Sequence, residues 1–211
     1  MYEIRQRVQN LEPVHKKFFL CDVQCCEYFK YWEIGQKELD GIGQYISGDL
    51  PLGGGSRKLE HYKGFISVLN IPSLTNPGVS VHWVTIKVDF SNTLIQVYDC
   101  NRKMKAATLK VIHKLCRSIP DVFKRSGTKR IDVSCMFSME VMSDLPQNEI
   151  GNECGIYSIK YAEALYKGEP KLLEQVNDEM IYFMREKVAC DIFANGKEVT
   201  VPPEECPKSS S

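Results

Sequence analysis

Apolar residues recur along this chain with two different periods, and each switch of period marks a new element. At the start, Met1, Ile4, Val8 and Leu11 fall on one helical stripe over residues 1–11. Asp22 reads as an N-cap, since its short carboxylate can accept from the free N–H groups of a helix carrying Cys26 and Phe29. Residues 48–56 are glycine-rich and read as a loop. From Gly64 to Leu69 the period becomes two, the mark of a strand, and Pro72 and Pro77 belong to the connection after it. Val81–Phe90 and Thr93–Asp99 are further β-rich runs, with Ser91-Asn92 as the hairpin turn between them. Helical spacing returns from about Lys103 to Ile119, with Met104, Leu109, Ile112 and Leu115 apolar, and residues 130–143 are again strand-like. Cys154 to Tyr166 is apolar nearly all round, which predicts a buried central helix. Pro170, suited to a first helical position, opens a last amphipathic helix to about Phe193.

No repeat or linker divides this pattern. The expected class is α+β: one domain over residues 1–195, a small mixed sheet packed with helices, and a flexible polar tail over 196–211. With 211 residues, 43% hydrophobic and 26% charged, the chain is expected to build a packed core, as a monomer. Lysine plus arginine and aspartate plus glutamate number 27 each, so no overall positive field points to nucleic acid, and the basic stretch from Lys124 to Arg130 reads as a solvated loop. No apolar run approaches the length of a membrane span, so no membrane partner is expected. Nine cysteines without a secretory pattern predict reduced thiols, in nucleus or cytoplasm. Cys21, Cys25 and Cys26 have no second Cys/His pair at zinc spacing, so they read as small core hydrophobes and no metal is expected. Gly53-Gly54-Gly55-Ser56 lacks the Gly-Lys-Ser/Thr of a phosphate loop.

Candidate chemistry sits in the segment from Pro146 to Ser158. Cys154 stands where a loop becomes a helix, facing unpaired N–H groups and the positive end of the helix dipole, both of which favour thiolate. A cysteine before a helical glycine is often structural. Gly151, Asn152 and Gly155, however, flank this one with flexible residues that bring backbone N–H groups near the sulfur. His82 lies inside an alternating strand, and Asp99 ends the next one, 17 residues later. A hairpin reversing about Ser91-Asn92 pairs residue 82 with a position near 101, which leaves Asp99 one diagonal step from the imidazole. That is the geometry of a base and its orienter. Gln147, seven residues before Cys154, has an amide that could donate to a developing oxyanion beside the backbone N–H of Cys154. Asn148 competes for that role, and Trp83 packs over the site or the core. His15, His61 and His113 read as surface.

In this order, His82-Trp83, Asp99, Gln147 and Cys154-Gly155 resemble the Ulp/SENP-type cysteine proteases, with adenovirus protease a more distant relative. Val81 to Asp99 is similar to the family's His-Trp hairpin, and Leu145 to Leu165 to its Pro-Gln…Cys-Gly turn and central helix. Lys160-Tyr161-Ala162-Glu163 resembles the plant and mobile-element branch. The order His…Asp…Cys also separates the chain from papain-like enzymes, which run Cys…His…Asn. The resemblance implies a papain-like α+β fold of altered chain order. It also implies cleavage after the C-terminal glycine of a ubiquitin-like modifier such as SUMO, in deconjugation or precursor processing. By position, it implies Cys154 as nucleophile, His82 as base then acid, Asp99 as orienter and Gln147 as oxyanion donor, with Trp83, Gly151 and Gly155 at the substrate and no cofactor. Departures are visible. Family members begin with a Trp-Leu segment that helps form the diglycine tunnel, whereas the N-terminal helix expected here looks downstream of it and Trp32 is not in the matching context. Glu153 replaces the usual aspartate, and the Gln147-to-Cys154 interval is one residue longer than in many relatives.

Two other readings share these residues. One is an acyltransferase using the same triad, which would need a basic pocket for a phosphorylated cofactor and would be revealed by acetyl-coenzyme A labelling of Cys154. The other is a catalytically impaired modifier-binding module from a mobile element. It would bind the modifier tightly without being labelled by an electrophilic probe.

Overall fold

The computed structural model describes residues 17–35, 38–50, 58–76, 79–148 and 151–195. Its frame is a five-stranded mixed sheet in the order β1 (Phe18–Leu20), β2 (Gly64–Pro72), β3 (Ser80–Asp89), β4 (Leu94–Tyr98), β5 (Ser138–Val141). The central β2–β3–β4 meander is antiparallel, and each edge strand runs parallel to its neighbour. The expected α+β class holds, with helices on both faces. The stripe expected over residues 1–11, most of the glycine-rich loop and the C-terminal tail lie outside the described residues.

One face of the sheet is covered by helix α1 (Val23–Tyr31) and the long α3 (Lys105–Arg125), with α2 (Asp40–Ser47) beside α1. Asp22 caps α1 as its sequence predicts, its Oδ1 accepting from Cys25 N at 3.0 Å. Cys21, Cys25 and Cys26 are buried in the core of this face, alongside Phe29, Phe65, Phe90 and Phe123. Stacked and edge-on ring pairs link the four phenylalanines. Such pairs add roughly 0.5–1.5 kcal/mol each beyond their burial. Trp32, at the C-terminal end of α1, is a core residue whose Nε1 donates to Asp121 Oδ2 at 2.8 Å. The opposite face is covered by α4 (Cys154–Lys167), which packs Ala162 against Leu20, Ile66 and Val68.

Because helices lie on both sides, β2 is buried nearly throughout rather than alternating with solvent, and in β3 His82, Val84, Thr85, Ile86 and Val88 are buried while Trp83, Lys87 and Asp89 are half-buried. Gly64 is required where β2 begins: an added Cβ would lie 1.8 Å from Val88 O. The β3–β4 turn is built by Asp89, whose Oδ1 accepts from Ser91 N and Asn92 N at 2.9 and 3.1 Å.

Three expectations need correction. Helix α3 does not stop before Pro120 but runs on to Arg125. Proline removes the N–H that would bond the carbonyl four residues back, and Phe137 N donates to that Cys116 oxygen instead, at 3.0 Å. The strand-like stretch 130–143 contracts to Ser138–Val141, the part that pairs with β4. The final helix is two pieces, a 3-10 turn at Pro170–Gln175 and α5 (Asp178–Asn195). Tight i,i+3 winding buries Leu173, and Asn177 then restarts the chain, its Oδ1 accepting from Met180 N at 2.8 Å. Nor is α5 the clean amphipath expected, since Tyr182, Phe183 and Phe193 are exposed. No helix of the described residues is long and apolar enough to cross a membrane.

Candidate active site

The site forms where β3 outruns β4. Their ladder ends at the Thr85–Tyr98 pair, so the first residues of β3 have no partner on that side. The N-terminus of α4 fills the gap. Thr85 fastens it there, donating from Oγ1 to Ser158 O at 2.7 Å.

His82 and Asp99 meet as the hairpin register requires. Thr85↔Tyr98 pairing extrapolates to residue 101 opposite His82, and the Asp99 carboxylate reaches back one diagonal step. His82 Nε2 lies 2.7 Å from Asp99 Oδ1, and the two side chains are 1% and 8% exposed, so water scarcely competes for the bond. Asp99 is itself held: Oδ1 also accepts from Asn101 N at 2.8 Å and Oδ2 from Thr108 Oγ1 at 2.9 Å.

With Nε2 occupied, the other imidazole nitrogen is left for the half-buried Cys154 thiol, which hydrogen-bonds the ring. The sulfur also receives the backbone N–H of Trp83, released by the end of the ladder, and that of Gly155 in the first helical turn. Burial alone would raise the Cys154 pKa. The His82 hydrogen bond, these backbone donors and the imidazolium charge outweigh it and hold the thiol below its ordinary value. Burial likewise opposes charge on His82, yet the hydrogen bonds to Asp99 and Cys154 and the charges of both raise it from 6.5 to about 9. The two shifts are one effect seen from either side, a thiolate–imidazolium pair favoured over two neutral groups.

The loop before Cys154 is pinned from below by two tyrosines one turn apart on α4. Tyr161 Oη donates to Pro146 O at 2.6 Å, and Tyr157 Oη lies 3.2 Å from Gln147 O and 2.7 Å from Asp178 Oδ1. The Gln147 amide nitrogen donates to Leu145 O at 3.0 Å, with longer approaches to the carbonyls of Pro146 and Asp99, and Oε1 accepts from Arg102 N at 3.3 Å. Asn148 is occupied at both ends of its amide by the backbone of Gly151, at 2.6 and 3.1 Å, so it braces the turn. Gly151 has φ +130°, a backbone conformation that L side chains rarely adopt. Glu153 makes no side-chain cap and instead pairs with Arg185 of α5 at 2.8 Å.

The structure therefore gathers His82, Asp99 and Cys154 into one hydrogen-bonded chain. Trp83 stands beside Gly155, its Cδ1 3.9 Å from where a Cβ on that glycine would lie. Gly151 shapes the turn from an exposed position, and Gln147 sits between the Asp99 carbonyl and Arg102. Sequence reading missed Thr108, Tyr157 and Tyr161. Thr108 had a signal, a polar residue on the apolar stripe of α3 with Ile112 and Leu115. The tyrosine hydroxyls gave none, because which ring end finds a carbonyl depends on the packed loop. Among the described residues, no group of three or more His, Cys, Asp or Glu could hold a metal ion.

Comparison with known proteins places these features in a family. Residues 66–200 match the model of the Ulp1 protease family, C-terminal catalytic domain. No curated protein sequence matches the chain. The fold is similar to the X-ray structure of the C-terminal Ulp1 protease domain in complex with Smt3, the yeast ortholog of SUMO. Identity is 16%, 91% of this chain and 73% of that one are covered, and the TM-score is 0.56. It is likewise similar to the SUMO protease Ulp1 with its catalytic cysteine oxidised to a sulfenic acid, at 16% identity, 91% and 74% coverage and a TM-score of 0.55. The family match spans most of the chain, from β2 to beyond α5, and on that ground this chain belongs to the Ulp1 protease family of cysteine peptidases.

Proposed function

We propose that this domain hydrolyses the peptide or isopeptide bond after the C-terminal glycine of a ubiquitin-like modifier, SUMO in the first instance. The observation that carries the chemistry is the buried His82–Asp99 hydrogen bond at 2.7 Å with the Cys154 thiol on the same imidazole. In this reading Cys154 attacks as thiolate and the scissile carbonyl becomes a tetrahedral oxyanion. His82 gives its proton to the leaving amine, and the acyl-enzyme is then cleaved by water that the neutral imidazole deprotonates. Asp99 keeps the ring oriented through both steps. The backbone N–H of Cys154 and the Gln147 amide stabilise the oxyanion, the amide turning from Leu145 O as charge develops. Trp83, Gly151 and Gly155 line the approach of the narrow glycine terminus, where a bulkier backbone neighbour would block the thiol. The choice of SUMO is supported by the family match and by the Smt3 complex of the similar Ulp1 protease domain. A reaction that needs a free thiolate suits the reducing compartments, nucleus or cytoplasm.

The test is a panel of modifier C-terminal fluorogenic substrates and electrophilic probes against the parent and Cys154→Ser. The expected result is turnover of at least one SUMO-type substrate, lost in Cys154→Ser with the melting curve unchanged. Equal turnover by both proteins would remove Cys154 as nucleophile, and turnover of a different modifier alone would reassign the substrate.

A further inference from the structure

On the outer side of α3, Lys110, His113, Lys114 and Arg117 are all exposed, and their spacing of three and four residues puts them on one helical face. Over Lys105–Arg125 six cations (Lys105, Lys110, Lys114, Arg117, Lys124 and Arg125) accompany a single acid, Asp121. This concentration occurs in a chain whose two signs balance at 27 each. Asp121 is engaged elsewhere, its Oδ2 accepting from Trp32 Nε1 at 2.8 Å and from Gly35 N at 3.2 Å. Among the described residues, none of Lys110, Lys114 and Arg117 takes part in an ion pair.

These cations form one wall of a groove of about 470 Å3, and Trp32, Glu33 and Ile34 form the other. Ile34 is 54% exposed, an aliphatic side chain left in water beside the cationic wall. Trp32 closes the groove from the core, being only 3% exposed.

We propose that this groove binds an acidic peptide segment, its carboxylates along Lys110, Lys114 and Arg117 and an aliphatic anchor against Ile34. Charge complementarity selects the acidic partner. The apolar wall selects a peptide over a nucleic acid. Single strands gain affinity by stacking bases on open aromatic faces, whereas Trp32 is buried. Because α3 and α4 cover opposite faces of the sheet, a segment held on the outer side of α3 leaves Cys154 free. The inference does not depend on which modifier the enzyme cleaves.

The experiment is fluorescence anisotropy of a labelled peptide of alternating Glu, Asp and Leu with the full chain. A Lys/Leu peptide and a single-stranded oligonucleotide serve as comparison probes. Saturable binding of the acidic peptide is expected, weakening as salt is raised. The triple variant Lys110→Glu, Lys114→Glu, Arg117→Glu should bind it at least about tenfold more weakly, since several attractions become repulsions together. Ile34→Ala should bind a few-fold more weakly, by about the loss expected for one exposed aliphatic contact. Lys129→Glu, exposed and outside the groove, should bind as the parent does. Absence of saturable binding, an unchanged dissociation constant in the triple variant, or tighter binding of the oligonucleotide would each overturn the proposal. All three cations are exposed, so the variant should fold. Should its circular dichroism differ from the parent's, Lys114→Glu and Ile34→Ala alone decide the matter by the same criteria.

Discussion

Thr108 Oγ1 donates to Asp99 Oδ2 at 2.9 Å, on the oxygen that His82 leaves free. The helix that covers one face of the sheet thus holds the carboxylate that orients the imidazole. Thr108→Val keeps the shape but removes the donor from a buried anion, an omission that costs about 1–3 kcal/mol. As a positioning residue it should act through the ring. We expect kcat/KM to fall by about tenfold, an order-of-magnitude expectation from that same loss, with a shifted pH profile. Thr108→Ser should restore both. A profile identical to the parent's, with only stability reduced, would make Thr108 a structural residue.

Removing the imidazole is a harsher change. His82→Ala should slow acylation by at least about a hundredfold, the usual size of a general-base contribution. Single-turnover measurement of acyl-enzyme formation checks this, and a loss below about threefold would point to another base.

Gln147 offers a sharper test, because its amide is occupied by Leu145 O at 3.0 Å when no substrate is bound. If it turns to the oxyanion, Gln147→Ala lowers kcat by roughly a hundredfold or more while KM changes little. A fall in thermal stability with kcat nearly intact would instead make the amide a brace for the loop.

The pH dependence follows from two opposed shifts. Activity should rise as Cys154 ionises below the ordinary thiol value and decline as the His82 imidazolium is lost near pH 9. Stability follows the same histidine. Its folded pKa is raised from 6.5 to about 9, so its contribution is fully present below 6.5 and disappears as pH climbs through 9. The depressed Cys154 pKa contributes in the opposite sense, so in Cys154→Ser, where it is gone, melting temperatures from pH 6 to 10 should fall across that window, and less in the Cys154→Ser, His82→Ala double variant. A parallel fall in both proteins would assign the dependence to other groups.

Gly151 should tolerate no side chain well. At φ +130° an alanine is strained although nothing lies within 4 Å of its Cβ. Gly151→Ala is expected to cost about 1–3 kcal/mol, the usual cost of a side chain in such a region, and to slow turnover by disturbing the turn that Asn148 braces. Urea denaturation and kcat measured together check it, and an unchanged pair of values would mean the turn simply relaxes.

Local pattern was enough wherever one stretch of chain settles its own geometry. Asp22 was recognisable as a cap because the bond it makes is three residues away. His82 and Asp99 could be paired before any coordinates, since a hairpin converts residue numbers into cross-strand neighbours. Cys154 at a helix N-terminus was legible for the same reason. Pro120 misled because its breaking tendency is also local, while the carbonyl it abandons is rescued by Phe137, seventeen positions beyond it. The division of the last helix escaped notice because the burial of Leu173 depends on neighbours distant in sequence.

From residue order alone came Cys154, His82 and Asp99 as candidates for nucleophile, base and orienter, and the class of fold, because each rests on spacing within one element or one hairpin. Tertiary structure alone decided that Cys154 joins the His82–Asp99 pair. It set β3 to overhang β4 and drove the mouth of α4 into the gap, freeing the Trp83 N–H for the sulfur, and it brought Thr108 to the far oxygen of Asp99. Those contacts join segments separated by long stretches of chain, held by burial against the sheet, and no periodicity along the sequence encodes which distant surfaces will share a core.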